Sequence, residues 1–204
     1  MSPPTVFDVV VLLGHNADEH QGATVADAVR AAVGPAGTMT ALRGVYGGSW
    51  WPDDELTDDQ AAALRMRLDR ESAALTSPVL VVGYSQGAAA ALAWLLAPDR
   101  CTRVLGLAGV AGFLPPGVQV DAASNPASNL PPNLPPNLPP ILLVIPDDDE
   151  VVDPFLGQRA VRLLRGRGHP TTQADVPGGH DWGPAATDAL RAWLAALGIG
   201  DCTP

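Results

Sequence analysis

At 204 residues and a net charge of -10, the chain is long enough for one well-buried core and too short for two, and its field is wrong for nonspecific binding to nucleic acid or to an anionic membrane surface. All 12 basic residues are arginines. The missing lysine excludes a Walker-type phosphate loop, a pyridoxal Schiff base and a lysine general base.

The opening MSPPTVFDVVVLLGH has no basic stretch ahead of its short apolar run, which reads as a first strand over Val6 to Leu13. Nowhere do about 18 apolar residues run together, so a soluble cytoplasmic protein is expected. The polar segment GHNADEHQ reads as a loop, and a helix is expected from Thr24 to Val33, ending at Gly34 and Pro35. Thr38 to Leu42 is a weaker strand. The glycine- and aromatic-rich loop GVYGGSWWPDD leads to Thr57, which with Gln60 makes a capping box for a helix running to about Leu75. A buried strand over Val79 to Val82 passes almost without a loop into a helix over Gly87 to Leu96. Arg103 to Leu107 and Ile141 to Ile145 read as strands flanking a long aperiodic stretch, and a helix over 154–165, a strand over 171–176 and a helix over 184–197 close the chain.

Strand alternating with helix, with strands apolar on both faces, predicts a three-layer α/β/α sandwich around a mostly parallel sheet. One domain over residues 1–204 is expected, with a proline-rich loop insertion at about 115–140. The repeat NLPPNLPPNLPP at 129–140 is forced toward an extended polyproline form and reads as surface. Cys101 and Cys202 belong to no metal-spaced or CxxC set and are expected as free thiols.

In sheets of this kind ligands bind beyond the carboxyl ends of the strands, so the loops that follow strands hold the chemistry. GYSQG, from Gly83 to Gly87, has the GxSxG form of a nucleophile elbow. The flanking glycines allow a tight strand-to-helix turn, and the turn stands the Ser85 hydroxyl above the sheet beside free helix N–H groups. The nucleophile then needs a base. His180, in PGGHDWG, follows a strand, whereas His169 follows a helix at the opposite sheet edge, and His15 and His20 sit in the first loop, ahead of the serine. An acid to orient the base comes from the run after Ile145. Asp153 precedes Pro154 and suits a helix N-cap; Asp149, beside a valine pair able to anchor its loop, is favoured over Asp148, and Asp147 and Glu150 read as solvated charge. The first loop contains Gly14 and can aim backbone N–H donors at an oxygen beside Ser85. His15, Asp18, Glu19 and His20 lack zinc spacing, and no metal or other cofactor is implied. Trp50 and Trp51 are read as half core and half substrate-pocket wall.

With those residues placed, the chain resembles the phospholipase/carboxylesterase group of α/β-hydrolases, which includes small bacterial esterases and acyl-protein thioesterases. The resemblance rests on LLGHNADEH at 12–20, GYSQG at 83–87, DEVVD at 149–153 and GGH at 178–180. It implies an α/β-hydrolase fold without a helical lid, Ser85, Asp149 and His180 as a catalytic triad, and the backbone N–H groups of His15 and Gln86 as the oxyanion hole. Leu13 stands where the family has the histidine of an HG pair, and Asn16 where it has glycine. The expected activity is hydrolysis of small carboxylic esters, or thioesters, through an acyl-enzyme on Ser85. Acyl transfer or perhydrolysis by the same residues, and a catalytically silent module that binds a ligand or a protein, are the alternatives.

Overall fold

The structure, a computed structural model, describes residues 6–35, 37–52, 55–97, 103–116, 118 and 138–199. Cys101, Cys202 and the NLPP repeat up to Asn137 lie outside the described residues.

Six strands form one all-parallel sheet: β1 (Asp8–Leu12), β2 (Met39–Leu42), β3 (Val79–Tyr84), β4 (Val104–Val110), β5 (Ile141–Pro146) and β6 (Thr171–Val176), in the order β2-β1-β3-β4-β5-β6. Between them run α1 (Glu19–Val33), α2 (Asp58–Ala73), α3 (Gln86–Leu95), α4 (Pro154–Gly166) and, after β6, α5 (Pro184–Ala196). The two-residue period of the strands sorts their side chains into two cores. Val9, Val11, Leu80 and Val82 pack with α1 and α5, while Val10, Leu12, Val79 and Val81 pack with α2, α3 and α4. Every strand residue of β1, β3 and β5 is buried, which is why these segments read as unbroken apolar runs. Among the described residues every helix packs on a face of the sheet.

The chain starts in β1, steps outward to β2, then returns past β1 to lay β3, β4, β5 and β6 on the other side. The order therefore reverses between β1 and β3. A crevice opens at such a switch point beyond the carboxyl ends of the strands, which places the loops after Leu12 and after Tyr84 side by side.

Two elements differ from the sequence reading. Helix α1 begins at Glu19, five residues ahead of Thr24, because Asp18 caps it: its carboxylate accepts from the Gln21 N–H at 2.7 Å, and Glu19 supplies the acidic first turn. The loop after β1 is thereby shortened to a few residues. Strand β4 runs on through GLAGV to Val110, three residues past Leu107. Its glycines act as spacers: a methyl at Gly109 would lie 3.1 Å from the Ala88 side chain, and one at Gly106 would lie 2.8 Å from the Trp193 ring. Elsewhere the elements end within two residues of where they are expected, and the Thr57–Gln60 capping box is present in both directions.

Candidate active site

Ser85 is the single residue between the last position of β3 and the first of α3. Its backbone sits at φ 53°, ψ -123°, a conformation that L residues adopt at a cost of about 1–3 kcal/mol. Surrounding bonds hold it there. The Ser85 N–H donates to the Val110 carbonyl at 2.9 Å, and the Ser85 carbonyl accepts from the N–H groups of Ala88 and Ala89 at 2.9 and 3.1 Å. The glycines on either side are sterically required: a Cβ at Gly83 would lie 2.4 Å from Ala88 Cα, and one at Gly87 2.2 Å from the Leu12 carbonyl oxygen.

The loop after β6 brings His180 to this serine, with Nε2 3.0 Å from Ser85 Oγ. On its other side Nδ1 lies 2.9 Å from both Asp149 oxygens. The Asp149 side chain is 1% exposed and the His180 side chain 21%. Asp149 Oδ1 also accepts from the Val151 and Val152 N–H groups at 2.9 and 2.8 Å, so the carboxylate is fixed as an acceptor. A carboxylate in that state takes Nδ1–H as donor, which leaves Nε2 to accept from the serine hydroxyl.

Asp148 and Asp147 are exposed, as is Glu150, and Asp153 caps α4 by accepting from the Phe155 N–H at 2.9 Å. The valine pair anchors the acid differently from the sequence reading: Val151 is 70% exposed, and the backbone N–H groups of the pair, rather than apolar anchoring of both side chains, grip the carboxylate. His169 lies between α4 and β6, at the opposite edge from Ser85, and His20 is exposed in the first turn of α1.

The loop after β1 runs against the serine, for a Cβ at Gly14 would come within 3.5 Å of Ser85 Cβ. His15, the next residue, is exposed, and its ring belongs to a closed set of hydrogen bonds. The Asn16 amide lies 2.9 Å from His15 Nε2, His15 Nδ1 lies 2.9 Å from Ser49 Oγ, and Ser49 Oγ donates to Asn16 Oδ1 at 3.0 Å. Asn16 takes φ 52°, so it serves at a position where glycine would be at ease, with its side chain held at both ends. Gln86 opens α3, and the N–H of a first helical residue has no acceptor inside its helix. Trp50 and Trp51 are 2% and 3% exposed and belong to the core on the α2–α3 side; of the two roles expected of them, core and wall, burial displays the core role.

No family model matches the sequence, and no curated protein matches it. Solved structures do resemble it. Esterase PE8 superposes with a TM-score of 0.71 at 22% identity, over 95% of this chain and 94% of that one. A carboxylesterase from Mesorhizobium loti gives 0.67 at 22%, covering 92% and 88%, and acyl-protein thioesterase 2 from Zea mays gives 0.62 at 20%, covering 96% and 95%. The fold is that of the α/β-hydrolases. These neighbours carry the names of the groups that the sequence motifs resemble.

On this α/β-hydrolase frame several supports were not visible in the motifs. Tyr84, the residue before the serine, donates its hydroxyl to the His180 carbonyl, and its ring lies 5.4 Å from the imidazole and 6.2 Å from Trp182. Burial, and after it the charges of Asp181 and Asp149, push the Tyr84 hydroxyl up to about 12, so it remains a donor at any neutral pH. Asp147, read as solvated charge, accepts from the Gly178 N–H at 3.1 Å and so ties the loop of the acid to that of the histidine. The Asp148 N–H adds a bond to the Gly178 carbonyl at 3.0 Å. Only the identity of residue 84 was available as a signal, since a tyrosine in the elbow has a hydroxyl that must find a partner when buried. Among the described residues no group of three or more His, Cys, Asp or Glu side chains could hold a metal ion, and no helix is long and apolar enough to cross a membrane.

Proposed function

We propose that this protein is a serine hydrolase of carboxylic esters and thioesters that works through an acyl-enzyme on Ser85. The observation that carries the reading is the unbroken path from Ser85 Oγ through His180 to the buried Asp149, at 3.0 and 2.9 Å. His180 Nε2 takes the hydroxyl proton as Oγ adds to the carbonyl carbon, and the displaced carbonyl electron pair becomes an oxyanion. That oxyanion faces the backbone N–H groups of His15 and Gln86. Collapse of the adduct breaks the bond to the leaving alcohol or thiol, which receives the proton from His180. Water then gives a proton to His180, adds to the acyl carbon, and releases the acid as Ser85 regains its hydrogen. No step calls for a metal or an organic cofactor.

Fluorophosphonate labelling and turnover of p-nitrophenyl butyrate test this reading. Ser85→Ala is expected to abolish both while the melting curve stays close to that of the parent chain. Labelling or turnover that survives in the alanine variant would move the chemistry to another residue, and an unlabelled, inactive parent chain would make the protein a binding module.

A further inference from the structure

Gln86 is 8% exposed, although a residue in the first turn of a helix beside a catalytic crevice would ordinarily point its carboxamide into water. Its two ends are both used. Oε1 accepts from the Trp50 N–H at 2.9 Å, and Nε2 donates to the Trp51 carbonyl at 3.0 Å, so the side chain pairs with the loop as a neighbouring strand would. Only a carboxamide of this length does both: glutamate lacks the donor, methionine lacks both partners and asparagine is one methylene short. Trp50 passes the hold onward, its indole N–H donating to the Leu13 carbonyl at 2.8 Å. Ser49, one residue earlier and 3% exposed, bonds His15 and Asn16 as described. The segment 49–51 thus connects the helix that starts at the nucleophile to the loop after β1.

We infer that the Gln86 side chain is a positioning residue that sets the oxyanion hole, acting through Trp50 on the Leu13–Asn16 loop. The inference rests on the hydrolase reading above, and assigns to this side chain a role separate from that of its backbone N–H. Both proposed oxyanion donors then answer to one carboxamide: the N–H of Gln86 directly, and that of His15 through the indole. Donors that must meet an oxyanion at hydrogen-bond distance lose most of their value when displaced by a fraction of an ångström, whereas ground-state binding of a small ester is little affected.

The test uses Gln86→Met, Trp50→Phe and the double variant. Turnover of p-nitrophenyl butyrate is measured alongside inhibition by an aryl trifluoromethyl ketone, whose adduct with a serine carries an oxyanion. Gln86→Met is expected to lower kcat by about 10-fold to 100-fold and to weaken the ketone in proportion, with KM within about threefold of the parent. Trp50→Phe, which removes one bond and keeps an aromatic ring, is expected to lose about fivefold, and the double variant no more than Gln86→Met alone within about twofold, because both lie on one path. A folded Gln86→Met with parental kcat and ketone affinity would overturn the inference. Losses that multiply would also overturn it, since independent packing defects add in free energy. Should Gln86→Met fail to fold, Trp50→Phe decides by the same split between kcat and KM. A parent chain that fluorophosphonate does not label would overturn the hydrolase reading, and the relay with it.

Discussion

Asp148 and Asp149 are chemically identical and adjacent, yet one is exposed and the other has a side chain that is 1% exposed. What separates them is the turn that follows. The backbone N–H groups of Val151 and Val152 both reach Asp149 Oδ1, a grip that fixes the carboxylate toward His180. In Asp149→Asn an amide N–H can face Nδ1, favouring the tautomer in which Nε2 carries the proton and cannot accept from Ser85. On the hydrolase reading, kcat for p-nitrophenyl butyrate is expected to fall by about 10⁴, while Asp148→Asn stays within about twofold. Steady-state kinetics of the two variants at neutral pH check this, and a damaging Asp148→Asn would displace the acid by one residue. The sequence narrows the choice to these two aspartates through chain order and position after a strand. It could not show that backbone donors, rather than two anchored valine side chains, would hold the acid, because such a turn depends on dihedral angles that VV does not encode.

Glycine is where reading at the level of elements succeeds and where it fails. Around Ser85 it succeeds, because a glycine two residues to each side of a serine between an apolar strand and an alanine run has one good steric explanation. In β4 it fails past Leu107: AGV looks like a break by propensity, and only the packing of α3 against Gly109 shows that strand and glycine are compatible there. The early start of α1 was hidden for a related reason, since Asp18 and Glu19 are polar residues that suit a loop and a capped first turn equally well. The elbow supplies a stability test. In Gly87→Ala the new methyl would meet the Leu12 and Leu13 carbonyls at 2.2 and 2.5 Å, both backbone of the strand end, so α3 must shift as a body. A loss of about 2–3 kcal/mol is expected, seen as a melting point lower by several degrees. Gly166→Ala, at the end of α4 with nothing within 4 Å of the added methyl, is expected to leave the melting point unchanged or raise it slightly. Equal melting points for the two variants would show that the elbow relaxes more freely than its contacts allow.

At the scale of the whole molecule, the parallel sheet was legible because three of its strands are buried on both faces, and the position of the candidate site was legible because its residues fall in loops that follow strands; the reversal of strand order between β1 and β3, which sets the loops after Leu12 and Tyr84 side by side, was not. The substrate is governed by what stands around that crevice. Among the described residues every helix is committed to a face of the sheet, so none of them forms a cover over Ser85, and the indoles of Trp50 and Trp51 are sunk in the core. Among the described residues the large apolar side chains exposed at that edge are few: Val45 and Tyr46 after β2, Val151 after β5, and Phe155 and Leu156 in the first turn of α4. A methylene contributes about 0.8 kcal/mol only when it leaves water, so an acyl chain longer than such a shallow rim gains nothing from further length. The net charge of -10 also repels anionic interfaces. On the hydrolase reading, kcat/KM for p-nitrophenyl esters is expected to rise from acetate to about hexanoate and then level or fall, with no jump in rate as the substrate passes its solubility limit. A maximum at about twelve carbons or beyond, or activation by an emulsion, would require an acyl tunnel or an interfacial cover and would overturn this prediction.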